Sequence, residues 1–216
     1  MKRILLHRDR FIQELSQGKH VVHIGACNSP FTEDSFSDGS ILYKKINDVC
    51  KSQIGIDLDA ESAAFLNKQK LERSRVVIGN MNDELNLDIK PDVVIFGETL
   101  EHLVNLGVAL ENIKRLLEKD TTLFISVPNA LYIRNFVYAL FRKEWQHPDH
   151  KVAFTTKTLS ALLVETGFKE IKVHYGYSMD KSAMNLKGKI SLAFAIPVSF
   201  LFPMLSANLM ITCKKL

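Results

Sequence analysis

The sequence predicts an α/β protein built around a buried, mostly parallel β-sheet, and three observations carry that prediction. Five short runs of β-forming residues, Val21–Ile24, Gln53–Asp57, Arg75–Gly79, Asp92–Gly97 and Thr122–Val127, are apolar through their middles rather than alternating, the pattern of strands covered on both faces. Segments with helical spacing lie between several of them, which reads as βαβ units with right-handed crossovers. Most of the runs close on glycine or a carboxylate, and the carboxyl ends of such strands are where open α/β sheets bind ligands.

Arg8 to Gln17 reads as a short amphipathic helix, with Phe11, Ile12 and Leu15 on one face and Gly18 as its stop. The first strand, Val21–Ile24, ends in the turn Gly25-Ala26-Cys27-Asn28-Ser29-Pro30, whose leading glycine lets the backbone approach a ligand closely. Asn28 to Ser40 is polar and turn-rich, and Ile41 to Cys50 regains helical spacing through Ile41, Leu42, Ile46 and Val49. The second strand ends at Asp57, Ala60 to Lys70 is helical, and Arg75–Gly79 is the third strand. Pro91 introduces the fourth strand, Leu106 to Lys119 is a strong helix, and the fifth strand is closed by Pro128-Asn129. The rhythm then changes to an aromatic-rich stretch ending at Trp145 and a charged turn, His147-Pro148-Asp149-His150. Thr156 to Thr166 is a helix opened by hydroxyls and capped by Gly167. Phe168–Tyr177 and Asn208–Lys214 read as closing strands. No repeat or linker interrupts this order, so residues 1–216 read as a single domain with an insertion or lid over about 129–155.

Composition excludes several classes. The hydrophobic share of 46% and charged share of 24% are those of a globular protein with an ample core. The net charge of +4 is spread along the chain, which is a poor footprint for nucleic acid. Cys27, Cys50 and Cys213 have neither metal nor disulfide spacing, and the first residues are charged rather than apolar, so the cytoplasm is the expected compartment. Ile190 to Cys213 carries no ionisable acid or base except a thiol and is long enough to span a bilayer. Pro197 and Pro203 break a continuous helix there. The favoured reading is therefore core insertion or a homodimer contact, followed by contact with a membrane surface.

Asp57, ending the strand beside the glycine turn, can accept hydrogen bonds from both ribose hydroxyls of a nucleoside ligand. It stands well beyond the usual gap of about 20 residues from the glycine turn, which places an insertion within Phe31 to Lys44. The alternative is that Asp57 or Asp59 only caps the helix that begins near Ala60. Glu98-Thr99-Leu100-Glu101-His102 is the most chemically loaded stretch. A helical turn there would put Glu98, Glu101 and His102 on one face, and a histidine at that place suits a general base at neutral pH.

The order of these motifs resembles the class I S-adenosylmethionine-dependent methyltransferases, over about Gly18 to Lys214. Val21-Val22-His23-Ile24-Gly25 stands where that family has its glycine motif, and Gly55-Ile56-Asp57 where it has its ribose-binding acid. Ile78-Gly79-Asn80-Met81-Asn82 falls at its adenine-contacting turn, Asp92 to Leu103 at its fourth strand and following turn, and Val127-Pro128-Asn129 at the end of its fifth strand. The resemblance implies a Rossmann-like, seven-stranded, mostly parallel sheet flanked by helices, with the last strand antiparallel. It implies S-adenosylmethionine as cofactor, bound by His23, Gly25, Asp57, Leu58, Asn80, Met81 and Glu98, with His102 as the catalytic base and no metal. His23 stands where the family usually has an acid, Cys27 and Ser29 where it has further glycines, and Asn80 where an Asp often meets the adenine amine.

The implied reaction is O-methylation of a small-molecule acceptor, a sugar or lipid-linked saccharide among them, with nucleic acid not expected. The Glu-x-x-Glu-His pattern with His147 or His150 downstream is also similar to the metal site of small-RNA 2′-O-methyltransferases, which leaves a metal-dependent RNA enzyme as the first alternative. A cofactor-binding module without catalysis is the second, motivated by His23, Cys27 and Ser29. In the plainest reading of the pentapeptide, Glu98 is a cofactor contact and Glu101 an exposed helix carboxylate.

Overall fold

In the computed structural model, which describes residues 5–83, 85, 87, 89–178 and 195–216, one eight-stranded sheet organises the chain. The strands are β1 (Leu5–His7), β2 (His20–Ile24), β3 (Ser52–Asp57), β4 (Ser74–Ile78), β5 (Val93–Gly97), β6 (Thr122–Pro128), β7 (Phe168–Tyr177) and β8 (Asn208–Lys215). Their order across the sheet is β1-β7-β8-β6-β5-β2-β3-β4. All neighbours are parallel except at β8, which runs antiparallel to both β6 and β7. The seven strands expected from the sequence are present. The eighth, β1, pairs in parallel with β7 through Leu5–Tyr175 and Leu6–Gly176.

The apolar strand runs are explained by two-sided burial. Val93 and Ile95 of β5 pack into one cluster with Ile12 and Ile46, while Val94 and Phe96 pack into another with Leu110, Ile113, Leu159 and Leu163. Ile12 lies on α1 (Arg8–Ser16) and Ile46 on α3 (Leu42–Asn47), which follows the short α2 (Thr32–Ser37). On the other face α5 (Leu106–Leu116) contributes Leu110 and Ile113, and α7 (Thr156–Glu165) contributes Leu159 and Leu163. Between β3 and β4, α4 (Ala60–Lys68) starts at Asp59, whose carboxylate accepts from the backbone of Glu61 and Ser62. Capping therefore falls to Asp59 and leaves Asp57 for another task. The hydroxyls read at the start of α7 form a reciprocal capping box between Thr155 and Thr158.

Between β2 and β5 the direction of winding reverses, since β2 is flanked by β3 on one side and β5 on the other. The crevice outside the carboxyl ends of these two strands is the topological switch point of the sheet. One segment differs from expectation, since Thr32–Ser37 is helical inside the stretch read as turn-rich. Within the aromatic segment Ile133–Leu140 forms α6. Of the uncharged tail, residues 190–194 lie outside the described residues, residues 195–201 are helical, and Phe200, Leu201 and Phe202 are exposed. No described helix is long and apolar enough to cross a membrane.

Candidate active site

A cavity of about 220 Å³ opens at the switch point, with His23, Gly25, Cys27, Asn28, Glu98 and Arg8 among its walls. Gly25 ends β2 with φ +70, a conformation that L side chains rarely adopt. A Cβ built there would overlap Thr99 Oγ1, so both the backbone and the space favour glycine. The turn is pinned by Gly25 N–H and Ala26 N–H donating to Ile56 O. It is pinned again at Asp57, whose carboxylate accepts from Cys27 N at 2.8 Å and Asp59 N at 3.1 Å. Burial and then the Asp57 charge push the Cys27 thiol up, so it is protonated.

Gly25→Ala forces a non-glycine residue into the left-handed region, worth about 1–3 kcal/mol of strain, and adds the clash with Thr99. Chemical denaturation is expected to show a loss larger than that strain, partly restored in the double variant Gly25→Ala/Thr99→Ala. Equal stability of the single variant and the wild type would show that the turn is not held as described.

His23 is buried at the end of β2, and its Nδ1 has no hydrogen-bond partner among the described residues. Burial, and then the Arg8 charge, push it down to about 4, so the imidazole is neutral. Arg8, at the start of α1, lies 3.0 Å from Asp9 and 3.7 Å from Glu98. Burial lowers its proton affinity, but Glu98 and Asp9 outweigh that and hold it above its ordinary value. Asp9 also takes Lys45 Nζ at 2.8 Å; burial raises its pKa, but Arg8 and Lys45 hold it below the usual carboxylate range.

The other expected cofactor residues, Asp57, Leu58, Asn80 and Met81, are not among the residues that line this cavity. Leu58 is exposed just beyond β3, Asn80 Oδ1 accepts from Asn82 N, and Met81 is buried with its carbonyl taking Asn112 Nδ2. Sequence reasoning missed Arg8. Its doublet with Asp9 looks like any charged helix start, and nothing local points to Glu98, which β5 delivers from the far side of the switch point.

The turn after β5 departs from expectation. Glu98 takes φ +49, and only Leu100–His102 forms a helical turn, of the 3₁₀ type. The spacing that would align three side chains belongs to an α-helix, so the set splits. Glu98 faces Arg8 and accepts from Asn208 Nδ2 at 3.2 Å. Glu101 lies between His102 Nε2 at 4.0 Å and His150 Nε2 at 3.9 Å. The reading of Glu101 as an exposed carboxylate is also corrected, since its side chain is 2% exposed against 37% for His102 and 16% for His150.

His150 reaches this cluster because Lys151 N and Val152 N both donate to Glu101 O. His147 stands beside it, its ring centroid 5.2 Å from that of His150 and 6.2 Å from that of His102. Both Glu101 oxygens are buried without a hydrogen-bond partner among the described residues. Burial and then the Glu98 charge push Glu101 up to about 8. Burial holds His102 and His150 below the ordinary imidazole value, with the neighbouring histidines acting in the same direction. At neutral pH the cluster is thus a protonated carboxyl with neutral imidazoles, able both to donate and to accept a proton. One carboxylate and two neutral imidazoles, with ligand atoms within 4.8 Å of one another, are also a donor set that suits a divalent first-row metal.

The sign of the stability effect follows. Glu101 binds its proton more tightly folded than unfolded, so its contribution is whole below pH about 4.5 and lost as pH rises to about 8. Thermal midpoints of wild type and Glu101→Gln, measured with a chelator present, should diverge across that window, the wild type losing ground as pH rises. A constant difference would contradict the assignment.

Such an arrangement, a doubly wound sheet with a glycine turn and a cavity at its switch point, is the ligand site of an open α/β protein. A family model described as a methyltransferase domain matches residues 14–173, well over half of the chain. The chain belongs to this family, and its cofactor is S-adenosylmethionine. Among solved structures it is similar to an S-adenosylmethionine-dependent methyltransferase from Archaeoglobus fulgidus, 18% identical with TM-score 0.57, covering 95% of this chain and 90% of that one. A second such enzyme, from Aquifex aeolicus, is 13% identical with TM-score 0.61, covering 98% and 91%. The small RNA methyltransferase HEN1 is 13% identical with TM-score 0.64, covering 96% of this chain and 25% of its own. At these identities the likeness is one of fold. No curated protein matches the chain.

Proposed function

We propose that this single domain transfers a methyl group to a hydroxyl oxygen of a small acceptor, with a sugar or lipid-linked saccharide as the acceptor class. The observation that carries the reading is the adjacency of two built features at the carboxyl ends of β2 and β5. One is a cavity bearing opposite charges, Arg8 and Glu98, around the orphan nitrogen of His23. The other is the proton-exchanging cluster Glu101, His102 and His150.

The residues fit the cofactor. Arg8 and Glu98 match the carboxylate and ammonium of a methionine moiety, whose chain would pass the backbone of the Gly25 turn. Asp57 holds the ribose with the outer lone pairs of a carboxylate already fixed by Cys27 and Asp59. Leu58, Asn80 and Met81 frame adenine at the ends of β3 and β4. When bound, S-adenosylmethionine supplies an electrophilic methyl on a positively charged sulfur. The protein's own work is positioning and proton removal. His102, neutral and partly open to solvent, takes the hydroxyl proton at a ring nitrogen, with the protonated Glu101 and the His150 imidazole beside it.

A second reading is favoured by the two unpartnered oxygens of Glu101. In it, Glu101, His102 and His150 hold a divalent cation, which supplies Lewis acidity toward the acceptor oxygen. Residues 129–155 then act as the lid over the acceptor, and the exposed Phe200–Phe202 edge suits contact with an apolar acceptor or a membrane surface.

Incubation with methyl-labelled S-adenosylmethionine and a panel of hydroxyl, amine and thiol acceptors tests the reading. Label in an O-methyl product is expected, with and without chelator separating the two versions. Label confined to N-methyl or S-methyl products would contradict it, and no transfer to any acceptor would favour a binding module without catalysis.

A further inference from the structure

We propose that the acceptor is an anion whose phosphate or carboxylate group is held by Arg134 in the cavity beside the histidine cluster. The inference rests on the methyl-transfer reading above, because it takes that cavity as the acceptor's. The cavity, of about 300 Å³, is bounded by Asn129, Tyr132, Arg134, Trp145, His147 and His150. It therefore touches the cluster through His150, with His147 beside it, and reaches Arg134 at another part of its wall. A molecule filling it would set its hydroxyl against His150, whose ring centroid lies 4.7 Å from that of His102, while another of its groups meets the guanidinium.

Three features of Arg134 make that group an anion. Its Nε is buried and has no hydrogen-bond partner among the described residues. No Asp or Glu is among the residues that bound the cavity, so nothing described there offsets its charge. Its guanidinium lies 4.5 Å from the centroid of the Trp145 ring and 5.5 Å from that of Tyr132, and such stacking fixes the plane of the fork while leaving its N–H edge free to donate. A partly buried cation that lacks a counter-ion costs free energy until one arrives. The planar fork matches the two oxygens of a carboxylate or phosphate. A neutral acceptor would leave the charge unanswered. The backbone adds to the preference, since Arg134 sits in the first turn of α6, whose N-cap, Tyr132, provides no side-chain cap.

Trp145 is the single tryptophan of the chain, so its fluorescence reports on this wall. The full chain is titrated with sodium phosphate and, in parallel, with sodium acetate at constant ionic strength, with and without S-adenosylhomocysteine. A saturable change in emission at millimolar anion is expected. Stronger phosphate binding assigns a phosphorylated acceptor; acetate binding as strong or stronger assigns a carboxylate. Arg134→Gln should raise the midpoint at least tenfold, and Arg134→Lys should fall between, keeping the charge without the fork. Saturation at the same midpoint in Arg134→Gln, or no saturable change with either anion in the wild type, would overturn the proposal. Calorimetric binding of S-adenosylhomocysteine to the same samples keeps the two readings apart. Intact cofactor binding with no anion effect removes only the anionic acceptor, whereas loss of cofactor binding in the wild type removes the reading beneath it.

Discussion

His102→Ala is expected to lower methyl transfer by roughly 10²- to 10⁴-fold, the usual contribution of a positioned general base, while S-adenosylhomocysteine binds as it does to the wild type. The geometry behind this is the partly exposed imidazole beside a buried carboxyl and a second imidazole. Because burial depresses the His102 pKa below 6.5, the neutral, proton-accepting form persists to lower pH than for a free histidine. The acid limb of the wild-type rate profile should fall below that value, and the deficit of the variant should shrink as pH rises and the acceptor needs less help. If Glu101, His102 and His150 instead hold a metal, a chelator abolishes wild-type activity, and Glu101→Ala and His150→Ala are as severe as His102→Ala. Glu98→Ala separates further, since Glu98 faces Arg8 rather than the cluster; it should weaken cofactor binding more than turnover. Full activity in folded His102→Ala would remove both catalytic versions together.

Asp57→Ala should weaken S-adenosylhomocysteine by about 1.5–3 kcal/mol for each charged hydrogen bond to ribose that is lost. Both oxygens of Asp57 also tether the glycine turn and the start of α4 through backbone donors. Part of the loss is therefore a loosened turn, which a stability measurement on the apo variant reads separately. Asp57→Asn retains one oxygen acceptor and should lie between the two. Unchanged affinity in folded Asp57→Ala would reduce Asp57 to a structural tether.

The central strands were legible because burial on two faces leaves a plain mark, an apolar run closed by a turn residue. Val93–Phe96 serves two different cores with alternate residues, which is why it shows no alternation. β1 was not legible. It has three residues, and the partner that makes it a strand, β7, lies at the other end of the chain. In the cavity wall, Gly25 could be read from its place at a strand end. The division of Glu98 from Glu101 could not, because it depends on a non-glycine residue holding φ +49 at the end of β5, a tertiary effect that helical spacing does not anticipate. His150 was visible only as one of two histidines in a charged turn; what selects it is the pair of backbone hydrogen bonds from Lys151 and Val152 to Glu101. Arg8 and Arg134 were silent for the same reason, since each acquires its meaning from residues distant in sequence or from a wall that only the fold builds.

The most direct test of the account is a calorimetric titration of the intact protein with S-adenosylhomocysteine. One molecule is expected to bind per chain, with a dissociation constant from low micromolar to submillimolar, roughly −8 to −5 kcal/mol, and with an affinity that falls when Arg8 or Asp57 is replaced by alanine. Absence of saturable binding to the folded wild type, or binding untouched by both substitutions, would contradict it.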